Sequence, residues 1–368
     1  MKNKIYKYFF HEFLRYFTIV LFAIATILWT VQAVNFLDLV TNDGHAFLIY
    51  FYYSLLTIPK ILTKLIPFTF LISLWLTILK FEKDNELIVL WTSGLNKIHL
   101  VNLIFKISIL IMFLQLIMSS FINPQTLNYS RSLIKDSKLE FVPSLLKEKQ
   151  FNDTVEFLTI FVDKKNDDGT YSGIFIRDEG KVLTDISSGS STIFAKSGYI
   201  NIEEDSLVLL NGNIQKLEED KSISVIKFEK TAINLSGLDT KTISEPKIQE
   251  KATSALLECI RNKCIEGDKN FNNYKVEINK RFGMPIFIPL LGLIICFLLS
   301  LNRNKKNFNF YTSLYFAIGF VIIVFSEIAV RYSGSSWENA MIYYFFPILL
   351  LPLIYFILIK KFKYENLI

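Results

Sequence analysis

The sequence predicts a helical membrane protein with an inserted all-β domain, and three observations carry that prediction. Six apolar runs, near residues 17–37, 47–79, 100–122, 284–301, 310–330 and 341–359, approach or exceed bilayer-spanning length, which takes about 20 residues. A polar block over residues 123–274 separates the first three runs from the last three. Inside that block the apolar pattern changes from helical to alternating. The expected organisation is transmembrane helices one to three in residues 1–122, a β domain with flanking helices in 123–275, and helices four to six in 276–368.

Composition alone does not make this argument. The 368 residues are 51% hydrophobic, but ordinary soluble domains are also about half apolar. The distribution of apolar and charged residues is what decides. The net charge of +6 is concentrated beside the spans. Lys2, Lys4, Lys7 and Arg15 precede the first; Lys80, Lys83 and Lys97 lie between the second and third. Arg303, Lys305 and Lys306 follow the fourth, and Lys360, Lys361 and Lys363 follow the sixth. These loops share one side if there are six crossings, so the basic excess orients the chain and requires no polyanion. The second run, with Pro59, Lys60, Lys64 and Pro67, is long enough for a hairpin or for an interfacial stretch plus one span. Two crossings there would place Arg303, Lys305 and Lys306 outside, so one crossing is expected. Both termini are then cytoplasmic and the polar block lies across the membrane. The first run is too long for a signal-peptide core and lacks a small-residue cleavage site after it.

In the polar block, residues 155–163, 171–178, 191–202, 206–210, 214–217 and 222–228 read as strands. Asn166-Asp167-Asp168-Gly169, Asp178-Glu179-Gly180 and Asn211-Gly212-Asn213 read as turns between them. The fold expected is an antiparallel sandwich, jelly roll or open barrel, with imperfect alternation at Val225-Ile226. Residues 123–149 read as a helix continuing the third span. Ser244-Glu245-Pro246 reads as the start of a helix through Ala255 and Leu256. A further helix from Asn272 runs into the fourth span. Cys259 and Cys264 lie in this block, where an oxidising compartment permits a disulfide. Residues five apart on one helix diverge, so a bridge requires a helix break.

Signs of catalysis are missing from the sequence. His11, His45 and His99 are scattered, without metal-ligand spacing. There is no phosphate-binding glycine loop, dinucleotide fingerprint or nucleophile elbow. The Ser-rich stretch 187–192 reads as a polar loop. The Asn-X-Ser/Thr triplets at Asn128, Asn152 and Asn234 match glycosylation acceptors, and coincidence is the plainer reading in a chain this rich in Asn and Ser. No cofactor or metal is expected.

The strongest local signal is the loop from Lys80 to Leu95, which begins charged and becomes an amphipathic helix stopped at Gly94. It reads either as an interfacial helix or as a coupling helix, near residues 82–95, that docks into another protein. The segment Glu86-Leu87-Ile88-Val89-Leu90-Trp91-Thr92-Ser93-Gly94-Leu95 resembles the Glu-Leu-x-Val-Met-x-Ala-x-Gly-Leu signature of the LptF/LptG (YjgP/YjgQ) lipopolysaccharide export permeases. Ile58-Pro59 and Ile66-Pro67-Phe68 fit that family's second helix. Glu277-x-x-x-Arg281 and Leu301-Asn302-Arg303 flank the fourth span as they do in the family. The approach to the β domain, residues 147–151 and then 157–161, is nearer to LptF than to LptG. Trp91-Thr92-Ser93 departs from the usual residues.

The resemblance implies a non-catalytic permease subunit of an ABC-type lipopolysaccharide exporter in the bacterial inner membrane. It implies a periplasmic β-jellyroll and a pairing with an LptG-like permease over an LptB-like ATPase dimer. Lipopolysaccharide would pass to LptC-like and LptA-like jellyroll proteins. Glu86, Leu87, Trp91, Gly94 and Leu95 would meet the ATPase. Lys60 and Lys64, one turn apart on one face, either snorkel to the headgroups or contact lipid phosphates. Glu327 and Arg331 are expected to form an internal i,i+4 ion pair, with Arg331 also near an anionic lipid. Where the family often has a basic residue late in the first helix, this chain has Asn35. Trp29, Phe36, Phe316 and Phe320 face acyl chains or ordinary helix neighbours. Two rival readings are a mechanotransmitting ABC subunit that moves no lipid, and a membrane-anchored β-domain binding protein.

Overall fold

A computed structural model describes residues 2–37, 40, 46–136, 146, 148–153, 157–166, 168–179, 190–201, 206–217, 222–234, 247–261, 271–301 and 307–365. Arg303, Lys305, Lys306, Cys264, His45, Lys147 and Ser244-Glu245-Pro246 lie outside these residues, as does any bridge to Cys264. Two compact units are present. One comprises Met1–Thr30, Thr57–Leu127 and Lys247–Ile368; the other comprises Val31–Leu56 and Asn128–Pro246.

The first unit is the helical bundle. Its elements are α1 (Lys2–Asn35), which runs on into the second unit, α3 (Ile58–Lys83), α4 (Glu86–Thr92), α5 (Lys97–Ile117), the start of α6 (Asn123–Asp136), α7 (Thr253–Arg261), α8 (Phe271–Gly283), α9 (Phe287–Ile295), α10 (Phe308–Tyr332) and α11 (Trp337–Glu365). Helix α2 (Phe47–Leu56) precedes α3 across a break at Thr57. Thr57 keeps helical backbone angles, and the break reflects Pro59, which has no N–H for the preceding turn. Among the described residues, the run Phe47–Lys83 is one of six helices long and apolar enough to cross a membrane. The fourth span is the centre of the bundle, with 83% of its most apolar window buried against 17% in the first, fifth and sixth. The outer faces of those three helices carry rows of exposed apolar residues such as Ile19, Phe22, Ile27, Val321 and Ile342, as lipid-facing helices do.

Residues expected to continue as one helix from Ser244 are instead divided. A short 3-10 turn at Ile248–Glu250 ends at Lys251, whose backbone is extended, and α7 then begins at Thr253. From Phe271 the chain is helical without interruption to Ser300. Short 3-10 stretches at Met284–Ile286 and Cys296–Ser300 flank α9.

The second unit holds a six-stranded antiparallel sheet in which every strand pairs with its chain neighbours. The strands are β1 (Phe151–Asn152), β2 (Leu158–Lys165), β3 (Thr170–Asp178), β4 (Ser191–Asn201), β5 (Ser206–Leu217) and β6 (Ile223–Asn234). Leu158, Ile160, Val162, Ile174, Ile176, Ile193, Leu207, Leu209 and Ile233 form its core. The β2–β3 turn is built as expected. Asp168 accepts from the Thr170 N–H at 3.0 Å and its hydroxyl at 2.6 Å, and these donors hold its carboxyl below the usual range.

Asn211-Gly212-Asn213 is not a turn; β5 runs through it. The described pairings skip Asp163 against Gly173, Gly173 against Lys196, Lys196 against Asn211, and Asn211 against Glu229. On both sides of this line the register is the same. What changes is the face. Tyr171 is buried before the line in β3 and Ile174 after it; in β5 Leu209 and then Ile214 are buried. Because β3 to β6 switch face together, the ladder survives while the sheet bends. Gly173 and Asn211 have φ of 63° and 52° on this line, in the left-handed region that Gly and Asn tolerate best. Val225 and Ile226 lie before the line and are both exposed, so neither marks a core face.

A Cβ on Gly173 would lie 2.7 Å from the Asp163 Cβ. Gly173→Ala is therefore expected to raise hydrogen exchange at β3 and β4 amides by about tenfold or more. Adding Asp163→Gly should recover part of that loss by removing the clash.

Candidate functional site

Membrane helices must satisfy their own backbone, because hydrocarbon offers no water. Proline breaks this rule: it has no N–H for the carbonyl four residues earlier. At the end of the bundle that carries the links to the β unit, three such carbonyls are filled by side chains. Opposite Pro67, the Thr63 carbonyl accepts from Gln115 Nε2 at 3.3 Å. Opposite Pro285, the Arg281 carbonyl accepts from Ser119 Oγ at 3.0 Å. Opposite Pro124, the Ser120 carbonyl accepts from Thr253 Oγ1 at 2.5 Å. Ser119 and Ser120 lie in a single π-helical turn, Met118–Ile122, an irregularity frequent at functional sites.

Arg281, 2% exposed, closes this end. Its Nε donates to Glu277 Oε1 at 3.0 Å, Nη1 to the Lys251 carbonyl at 3.1 Å and Thr253 Oγ1 at 2.8 Å, and Nη2 to the Gln249 carbonyl at 3.1 Å. The guanidinium fork thereby fastens the segment returning from the β unit onto α8. A buried cation is tolerable here because it is paired and all three of its nitrogens donate hydrogen bonds.

Beside this junction is a pocket lined by Lys60, Lys64, Gln115, Glu277, Lys280 and Glu327, among others. The sequence-predicted pair Lys60 and Lys64 shares its wall, with Lys60 half-buried and Lys64 exposed. The expected ion pair is corrected. Glu327 Oε2 lies 3.5 Å from Lys280 Nζ, while Arg331, one turn further along α10, is exposed and does not line the pocket. Lys280 reaches Glu327 from α8, so α10 makes an interhelical contact where a local one was expected. Phe316 packs on Trp75 at 5.1 Å and Phe320 on Phe68 at 5.8 Å. Trp29 is partly buried against the bundle core, and Phe36 packs on Tyr53 at 4.8 Å in the second unit.

The opposite end of the bundle holds α4. Asn85 (φ 58°) turns the chain out of α3, and Gly94 (φ 85°) ends the segment. Leu87 is 1% exposed and Leu95 7%, and Trp91 packs on the core with Lys97 over its ring. These residues anchor α4 from inside. The outward face is Ile88, Val89, Thr92 and Ser93, which the sequence reading omitted because both faces of this helix are apolar. Glu86 accepts from the Tyr8 hydroxyl at 3.1 Å, and Glu12 pairs with Lys80 at 2.7 Å, tying α1 to α3 and α4. A shallow groove lined by Lys4, Ile5, Tyr8, Phe81, Asp84, Glu86, Val89 and Leu90 runs alongside. Tyr8, Glu12, Gln115 and Lys280 were not singled out from sequence. The legible signal was a proline four residues after Thr63, with a Gln inside an apolar run.

Among the described residues, six membrane-length helices, an inserted antiparallel β domain and a short anchored helix at one end describe a multi-pass membrane protein. The chain belongs to the family of lipopolysaccharide export system permeases LptF/LptG, whose model matches residues 7–361, and it is a multi-pass inner-membrane protein. An uncharacterized protein of Rickettsia prowazekii (strain Madrid E) is 28% identical over 238 residues, 64% of this chain and 64% of that protein. The match thus spans just under two thirds of that relative's length.

Ser119→Ala should destabilise the full chain in detergent by about 1–3 kcal/mol, since it strands a buried carbonyl. Pro285→Ala in the same chain restores an N–H and should recover most of that loss. Thermal unfolding of the two single variants and the double variant tests this; a double variant no better than Ser119→Ala contradicts the proline account.

Proposed function

We propose that this chain is the LptF-type, non-catalytic permease of an ABC-type exporter that extracts lipopolysaccharide from the inner membrane. The observation that carries this is α4, in a chain of this family: anchored from within through Leu87, Trp91 and Leu95, it leaves Ile88 and Val89 outward. An LptB-like ATPase dimer docks on that face, with Glu86 at its edge and Gly94 fixing its end. A second, LptG-like permease completes the membrane path. The basic loops favour a topology with both termini in the cytoplasm and the β domain in the periplasm. Lys60 and Lys64 contact the phosphates of the lipid headgroup as strongly hydrated point charges, and Arg331 as a planar fork. LptC-like and LptA-like jellyrolls continue the β path. The length of β6, twelve residues against two in β1, supports it as the joining edge.

Val89→Asp should lower the ATPase recovered with the affinity-purified permease by about tenfold or more, since it places a charge in an apolar contact. Undiminished recovery would refute the docking role. Photo-crosslinkers at Lys64 and Arg331 should trap lipopolysaccharide in energised membranes. An ATPase partner without any lipid adduct would instead identify a subunit that transmits motion only.

A further inference from the structure

The pocket contains two unmet demands, and together they describe its ligand. Its fixed charges are largely committed: Arg281 with Glu277, and Lys280 with Glu327. Among the described residues Lys60 and Lys64 have neither a carboxylate partner nor a hydrogen bond, although Lys60 is half-buried. A lysine in that position calls for an anion. The second demand comes from Gln115, which is 4% exposed. Its Nε2 is committed to the carbonyl opened by Pro67, which fixes the amide orientation, because the flipped form would set two oxygens against each other. Its Oε1 is consequently a buried acceptor with no donor, on a residue that lines the pocket.

We propose that this pocket takes a phosphorylated headgroup that also donates a hydrogen bond, with the phosphate on Lys60 and Lys64 and the donor on Gln115. Gln115 is thus a specificity-determining residue. The inference rests on reading Lys60 and Lys64 as phosphate contacts, as in the proposed function, and adds the demand for a donor. Two sources share this chemistry: the hydroxylated phosphosugar of lipopolysaccharide, and the ammonium-bearing phosphoethanolamine of a bilayer phospholipid. An unpaired phosphocholine does not, because it has no N–H or O–H.

The test is native mass spectrometry of the full chain with short-chain phosphatidylethanolamine and phosphatidylcholine of identical acyl chains. Wild type should retain the ethanolamine lipid about tenfold better, the worth of one charge-assisted hydrogen bond. Gln115→Leu should bring that ratio close to one and leave the choline lipid unchanged. Because Gln115 also fills a carbonyl, Gln115→Leu with Pro67→Ala, which restores the missing N–H, provides the same reading in a repaired helix. Lys60→Ala with Lys64→Ala should weaken both lipids. Equal retention by wild type, a ratio unmoved in both Gln115 variants, or displacement by inorganic phosphate as effective as by the ethanolamine lipid would overturn the proposal. Lipopolysaccharide that competes for the pocket identifies the first source; a Gln115-dependent ratio without competition identifies the second. If the ratio holds while crosslinkers trap no lipopolysaccharide, the pocket stands and the export reading falls. If lipopolysaccharide is trapped while the ratio is one, export stands and this inference falls.

Discussion

Hydrocarbon cannot hydrate a backbone carbonyl, and much of this bundle's linked end follows from that constraint. Pro67, Pro124 and Pro285 each leave one carbonyl without its helical donor. In each case the replacement comes from a different segment: Gln115 from α5, Thr253 from the start of α7, Ser119 from the π turn. A proline in an isolated helix is a local defect. Here each one becomes a reason for two segments to meet, because an unfilled buried carbonyl costs about 1–3 kcal/mol. The crosslinks bring together α3, α5, α8 and the returning strand of chain. Arg281 can be buried among them because Glu277 pairs its charge while the Gln249 and Lys251 carbonyls and Thr253 Oγ1 accept from it.

The same constraint explains why polar groups line part of the pocket. Side chains recruited to fill carbonyls must carry donors, and amides and hydroxyls have acceptors left over. Ser119 uses its hydroxyl proton on the Arg281 carbonyl, and Gln115 uses one N–H on Thr63. Polar capacity therefore remains beside Lys60, Lys64 and the Lys280–Glu327 pair. Some of the polar groups lining the pocket are thus a by-product of repairing the helices.

Much of this was legible in the sequence, where a pattern repeats over many residues. Six apolar runs and their basic flanks specify the helices, and alternation specifies strands. Sequence was weaker wherever one residue answers to two elements. Asn211-Gly212 reads as a hairpin turn because those residues favour positive φ; the structure uses that conformation to bend a strand, which only neighbouring strands bending at the same level make possible. Glu327 was expected to meet Arg331 because helical spacing is visible in sequence, whereas Lys280 lies on another helix. Leu87 and Leu95 looked like contact residues because they are apolar in a signature segment. Their burial is decided by helices far away in sequence, and that left Ile88 and Val89 as the outward face.

The two edges of the sheet are unequal, and the inequality has a direction. At one edge β1 is two residues long, too short to template another strand. At the other edge β6 runs twelve residues and, among the described strands, pairs only with β5. Long free edges invite uncontrolled pairing, and proteins blunt them with charge. On β6 the charges Lys227, Glu229 and Lys230 are gathered at and beside the bend, while Ile223, Val225 and Ile226 stand exposed before it. The charged portion resists indiscriminate addition, and the apolar portion offers side-chain contacts to a strand that fits. Any sheet added there inherits the β5–β6 register and its bend, so its inner face continues the one formed by Leu207, Leu209 and Ile214.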